Sequence, residues 1–345
     1  MNDRETNLAW NLKRYFDHDG RYFLESYIGS GAQATVFKLR TRDSDNQGTD
    51  RFVIKIPWTA ELQWDSFHTI SEVEAMKTFR GAAHVVQLLE TTADQDPLKK
   101  ENVPDATKLP ANRWIYTMAS PGGPMEWLEN GTLAGFMERA QKKGHPLPNR
   151  ILWRLFMCLV RMCIAFAWPD AHDESKVELE DPRDEVPRSI CYNPDIGSGN
   201  LVFGPFVPDD INLEHRLTPV LKMIDLGLVE RRDTPHKKAW SKLVSMSIRL
   251  IGEQMFMING VGRGADPDPT LDSDLEKIVS WCMSSSEDDR PQLLELAIWV
   301  SNAVKGRDAA WYREQMPGPA NDGEEDESIL NLVHELIINA NTAPE

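Results

Sequence analysis

Two acids and an amide, placed beside short apolar runs, carry most of the chemistry in this sequence. Asp195 and Asn200 stand five residues apart in Cys191-Tyr-Asn-Pro-Asp-Ile-Gly-Ser-Gly-Asn-Leu-Val-Phe203, and Asp225 closes the apolar run of Leu221-Lys-Met-Ile-Asp-Leu-Gly-Leu228. One carboxylate can orient an acceptor hydroxyl and take its proton. An amide oxygen and a second carboxylate can hold magnesium, which prefers hard oxygen ligands. Each stretch taken alone also reads as an Asx turn, helped by Pro194, Gly197 and Gly199.

A second constellation lies upstream. Ile28-Gly-Ser-Gly-Ala-Gln-Ala-Thr-Val36 falls between two strand-like runs. Gly29 and Gly31 let backbone N–H groups approach phosphate oxygens with no Cβ in the way. A plain glycine hairpin has the same composition. Lys55 then interrupts the apolar run Phe-Val-Ile-Lys-Ile. A buried ammonium is costly unless paired, and Glu72 or Glu74 in the helical stretch that follows can pair it.

These groups need elements to hold them. Apolar and polar residues alternate through 34–40 and again through 51–56, which predicts two strands, with a polar turn over 43–50. Residues 1–20 read as a short helix or arm. Residues 70–79 have helical spacing, with Val73, Met76 and Phe79 as the apolar stripe. Runs 84–90 and 113–118 read as further strands, ended by Pro121-Gly-Gly-Pro124. Helices follow over 131–143 and 150–168, then an acidic, proline-punctuated surface loop over 169–188. Short strands are expected at 200–203 and 219–224. Beyond Trp240 come helices at 241–258, 274–284 and 292–304, an acidic linker over 317–328 and an amphipathic helix over 329–340. Strands before helices suggest two α+β lobes.

The 345 residues suffice for one large domain or two modest ones. A net charge of −16 argues against a nucleic-acid or anionic-membrane partner, which needs a positive surface. The apolar stretch 151–168 is broken by Arg154 and Arg161, so it reads as a buried helix and no membrane insertion is expected. No secretory leader is evident in MNDRETNLAW. Cys158, Cys163, Cys191 and Cys282 form no CxxC pair and read as free thiols of a reducing compartment, hence a cytoplasmic location, with the nucleus left open. The eight histidines show no metal-ligand spacing, and His84 reads as structural.

Together the motifs resemble the protein kinase superfamily, in a divergent form closest to kinase-domain proteins of fungal type. GSGAQATV stands against the family's GxGxxGxV, with Ala34 in place of the third glycine, and FVIKI stands for its VAIK strand. Asp195 and Asn200 match the HRDxxxxN loop, and Asp225 matches the DFG aspartate. Val279-Ser-Trp-Cys-Met283 with Asp288-Asp-Arg-Pro291 is similar to the family's last helices.

The resemblance implies an α+β, bilobal kinase-like fold, with a β-rich N-lobe carrying helix C and a mainly helical C-lobe. Its divisions are an extension over 1–21, the N-lobe and hinge over 22–120, the C-lobe over 121–305 and a tail over 306–345. It implies ATP and Mg2+ as cofactors. Lys55, paired with Glu72, would contact the phosphates, Asp195 would be the base, and Asn200 and Asp225 would bind the metal. Ile28, Gly29, Ser30, Gly31, Ala34 and Val36 would cover the nucleotide. Met118 would be the gatekeeper and Ala119 the start of the hinge at 119–122, with 126–128 as the other register.

The expected activity is phosphorylation of a hydroxyl acceptor, first of Ser/Thr on proteins; the sequence does not name the protein or small-molecule acceptor. Departures qualify this. Asn193-Pro194 replace the family's His-Arg, and Gly197 replaces the catalytic-loop lysine, removing a charge that stabilises the transferring phosphoryl group. The segment after Asp225 is short, and Arg290 lacks its usual glutamate partner. Those changes keep two alternatives open: a pseudokinase scaffold, and a small-molecule kinase of the aminoglycoside or choline type.

Overall fold

Alternation over 34–40 and 51–56 becomes an antiparallel ladder. The computed structural model describes residues 3–31, 34–42, 51–57, 71–89, 125–144, 146–173, 175–234, 236–263, 269–316 and 323–340. The expected strand at 113–118, the turn at 43–50, and Met118 and Ala119 lie outside them. The chain divides into two compact units, one of residues 1–67 and 87–127, the other of 68–86 and 128–345.

In the first unit, α1 (Asp3–Asp17) precedes β1 (Tyr22–Ser30), β2 (Ala34–Thr41) and β3 (Arg51–Pro57). With β4 (Met125–Glu126) these form a sheet of order β1-β2-β3-β4, all antiparallel. One sheet face places Phe37, Leu39, Phe52, Ile54 and Ile56 against Leu8, Leu12, Tyr15 and Phe16 of α1. Period two in the strands and the i, i+4 spacing of Leu8 and Leu12 present matching apolar surfaces. Val36 and Lys55, offset by one residue from Phe37 and Ile54, therefore belong to the opposite face.

The second unit is mainly helical. It holds α2 (Glu72–Thr78), α3 (Leu133–Lys143), α4 (Asn149–Ala167), α5 (Lys237–Asn259), α6 (Ser273–Cys282), α7 (Leu293–Gly306), α8 (Ala309–Gln315) and α9 (Asp326–Val333). Every residue of α4 is buried, and α5, α7 and the strands at 189–192 and 221–223 pack around it. Two short antiparallel pairs complete the unit: β5 (Ser189–Tyr192) with β8 (Glu230–Asp233), and β6 (Leu201–Phe203) with β7 (Leu221–Met223). The fold is thus α+β. No described helix is long and apolar enough to cross a membrane.

Three expectations change. Within 84–89 there is no continuous strand, because its pairing is split. His84 and Val86 bond to Met223 in the second unit, while Gln87 and Leu88 pair with Glu126 and Met125 in the first. The described residues of 169–188 do lack regular structure, yet Glu180 is buried. Glu324, expected in a solvated linker, is also buried. It accepts the Asn149 and Arg150 N–H groups at 2.6 and 3.1 Å, and so caps α4, whose N-terminal Pro148 has no side-chain cap.

Candidate functional site

The loop Gly197–Asn200 is a short turn that folds Asn200 back onto Asp195. Gly197 N–H bonds to Asp195 O at 2.9 Å, and Asn200 N–H to Gly197 O at 2.9 Å. Asn200 Nδ2 then donates to the Asp195 backbone oxygen at 3.1 Å and to its carboxylate Oδ2 at 2.9 Å. With the amide nitrogen engaged, the oxygen is the end of Asn200 left to face a hard cation.

Asp225 joins this loop through the backbone. Ile224 N–H donates to Asn200 O at 3.0 Å, continuing the β6–β7 pairing past Met223. Asn193 Nδ2 donates to Asp225 O at 3.1 Å, and Asn193 Oδ1 accepts Asp195 N–H at 3.0 Å. Asn193 is buried, whereas Asp195 is exposed and Asp225 half-buried. The residue standing where the resemblance implies a histidine thus bridges the two acidic stretches. Asp225 Oδ1 accepts Gly227 N–H at 3.1 Å. A carboxylate has about four lone-pair sites, so this bond is compatible with metal coordination. The chain brings Asp195, Asn200 and Asp225 together, and their oxygens suit magnesium.

The first unit holds the glycine loop and Lys55. Gly29, Val36 and Lys55 stand abreast on β1, β2 and β3. The β1–β2 connection is tied by Gly31 N–H to Ala34 O at 2.9 Å and by the Ser30 and Thr35 hydroxyls at 3.2 Å. Ile28 is exposed, Lys55 and Val36 are half-buried, and Ala34 is buried. Neither Gly29 nor Gly31 has positive φ, and a Cβ at either meets no described atom within 4 Å. Backbone conformation and described neighbours therefore do not demand glycine at these positions.

Glu72 and Glu74 are separated by their local bonds. Glu74 closes a capping box: its N–H reaches Ser71 Oγ at 3.2 Å, and its carboxylate accepts Ser71 N–H at 3.1 Å. Glu72 is half-buried on α2, in the second unit.

Other positions depart from the expected pattern in readable ways. Arg290 is buried and bonds to Ser284 O, Ser245 O and Ser245 Oγ, so serine and backbone oxygens take the role of its expected glutamate. Lys242, aligned with the aspartate that supports the catalytic loop in the family, is exposed. The segment after Asp225 is short, since α5 begins at Lys237 with His236 as its cap. It is spanned by β8, whose Arg231 bonds Asp170 at 2.7 Å and whose Arg232 pairs with Glu230. The chain passes from the first unit to the second between Trp127 and Leu128, directly after β4.

Two further groupings carried no sequence signal. One is a groove of about 400 Å³ lined by Trp153, Trp281, Trp299, Trp311, Lys277 and Arg307. The other is a buried cluster of His84, Cys158 and His215. Both are assembled from positions with no common spacing. Neither comparison with protein-family models nor comparison with curated proteins returned a match.

Proposed function

We propose that the chain is an ATP- and Mg2+-dependent phosphotransferase of protein-kinase-like type, with Asp195 as the base for a hydroxyl acceptor. The observation that carries this reading is the meeting of Asp195, Asn200 and Asp225 through the bonds at 2.9, 3.0 and 3.1 Å described above. Asp195, exposed, receives the acceptor's proton. The Asn200 amide oxygen and the Asp225 carboxylate hold the metal, which neutralises charge on the phosphates.

Gly29, Gly31 and Lys55 serve the same triphosphate. Glycines that the described fold does not require are accounted for by a ligand that must approach the backbone closely. The resemblance assigns Glu72 as the carboxylate for Lys55, and Glu74 is committed to its cap. Ile28 and Val36 cover the base.

A small-molecule acceptor is the second reading. The residues between Gly227 and α5 are few and partly paired as β8, which leaves little platform for a peptide. Binding tests the shared core of both readings. ATP with magnesium is expected to raise the Tm of the wild type, with the shift lost in Lys55→Met and in Asp225→Ala. Unchanged Tm in the wild type at millimolar ATP and magnesium rejects nucleotide binding and leaves an empty scaffold.

A further inference from the structure

Inside the second unit, four segments far apart in sequence converge on one buried point. His84 follows the turn after α2, Cys158 is mid-way along α4, and His215 lies in the excursion between β6 and β7. A ring nitrogen of each histidine and the Cys158 Sγ lie within 4.8 Å of one another, and all three residues are buried. Glu180, from the irregular segment 169–188, accepts His84 N–H at 2.7 Å and contacts His84 Nδ1 at 2.6 Å.

The positioning of His84 is built in. Gly81, with φ +87°, lets the chain pass so close to the 169–188 segment that a Cβ there would come within 2.3 Å of Asp173 O. Glu178 then pairs with Gly81 and Ala83 through bonds at 2.9 and 3.0 Å, which brings Glu180 to His84. Arg161 fixes the other side. It grips the Glu214 carboxylate at 2.6 and 3.0 Å and also bonds to the Glu180 backbone oxygen.

The polar accounting is incomplete without a ligand. His84 Nε2 and both ring nitrogens of His215 are buried with no hydrogen-bond partner among the described residues. Buried polar nitrogens normally have one. Glu180 contacts Nδ1 of His84 at 2.6 Å; in the neutral ring with Nδ1 as the donor, Nε2 carries the lone pair, the arrangement that orients histidine toward a metal. The His84 and His215 rings have centroids 5.1 Å apart and are tilted by 46°. Two imidazoles on one tetrahedral zinc, with Zn–N near about 2.0 Å, also place their centroids about 5 Å apart.

We infer that His84, Cys158 and His215 form a buried site for a borderline-soft divalent transition metal, zinc, with Glu180 as the carboxylate that orients His84. Two imidazoles and a thiolate suit zinc and not magnesium, so this site is distinct from the proposed nucleotide metal. The thiolate and Glu180 together balance a divalent charge. Three protein ligands leave one tetrahedral position for a small fourth ligand such as water. The site would clamp the α2 turn, α4 and the β6–β7 excursion together.

The test is a cobalt titration of the full-length protein after treatment with a chelator. One equivalent per chain is expected, with a thiolate-to-cobalt charge-transfer band and tetrahedral ligand-field intensity. Zinc should displace the cobalt, and chelation should lower the Tm. The band should vanish in Cys158→Ser and persist in Cys191→Ser. His215→Gln should weaken cobalt binding by at least about tenfold. Failure of the wild type to bind cobalt or zinc overturns the assignment, as does a band that survives Cys158→Ser. Should Cys158→Ser fail to fold, the wild-type titration and Cys191→Ser decide: a retained one-equivalent thiolate band supports the site, and its absence or its loss in Cys191→Ser rejects it.

Discussion

Asn200 donates its side-chain amide to the Asp195 carboxylate at 2.9 Å, closing a loop in which one residue would hold the metal and the other would accept the proton. The bond orients both groups at once. Asn200→Ala is expected to lower turnover and to raise the magnesium concentration needed for half-maximal rate by at least about tenfold. Initial rates over a magnesium series measure this. A rate and magnesium dependence equal to wild type would remove Asn200 from the site.

Lys55 and Asp225 are expected to act on nucleotide affinity. At ATP concentrations about a hundredfold above its dissociation constant, linkage stabilises the folded chain by about 2.7 kcal/mol. Differential scanning calorimetry with and without magnesium should show that stabilisation in the wild type. It should be largely absent in Lys55→Met and Asp225→Ala, while their Tm without nucleotide stays near wild type.

Asp272 is the charged hub of the helical unit and sets an acid limit on stability. Its Oδ2 accepts Trp153 Nε1 at 3.0 Å and the Tyr312 hydroxyl at 2.8 Å, and it also pairs with Arg307. Burial works to raise its pKa, but the bonds from Arg307 and Trp153, the charge of Arg307 and the bond from Tyr312 together hold it below the ordinary aspartate value. The sign follows: a carboxyl depressed in the folded state stabilises above its unfolded pKa, and that contribution is lost as pH falls through the lower folded value. Asp272→Asn should cost about 1–3 kcal/mol at neutral pH, because Arg307 loses its buried partner and keeps only the exposed Asp274. Its stability should also fall less steeply than wild type below pH 4. Urea unfolding from pH 7 down to the acid limit checks both.

Glu324 caps a helix that begins 175 residues earlier in the chain. Glu324→Ala leaves the Asn149 and Arg150 N–H groups buried without their acceptor, at a cost of about 1–3 kcal/mol. Chemical denaturation should detect this, and deletion of residues 323–340 should cost at least as much. A neutral result for both would show that the tail does not support α4.

Much of this architecture can be read from pattern alone. Alternation locates β2 and β3, and helical spacing locates α2, α4, α5 and α7 to within a few residues. The acids and amide of the candidate site are legible because Asp195 and Asn200 are local to one loop, and because Asp225 ends an apolar strand. The pairing of β5 with β8 is not, since Glu-Arg-Arg-Asp has no apolar alternation and its partner lies some forty residues upstream. Glu180 and Glu324 look like solvated acids in charged stretches. Only tertiary contacts reveal that each is buried and satisfies distant N–H groups. His84, Cys158 and His215 come from three unrelated segments, so no spacing connects them. The strand expected over 84–90 fails for a related reason: its apolar run serves two units and pairs with a different partner in each.

Asp195 as the proton acceptor is tested most directly by following transfer of the γ-phosphate of labelled ATP, for wild type and Asp195→Asn side by side. The expected result is measurable wild-type transfer that falls by about 10²–10⁴-fold in Asp195→Asn, while ATP and magnesium still stabilise the variant. Transfer at the wild-type rate in Asp195→Asn, or none from the wild type to protein or small-molecule acceptors, would contradict it.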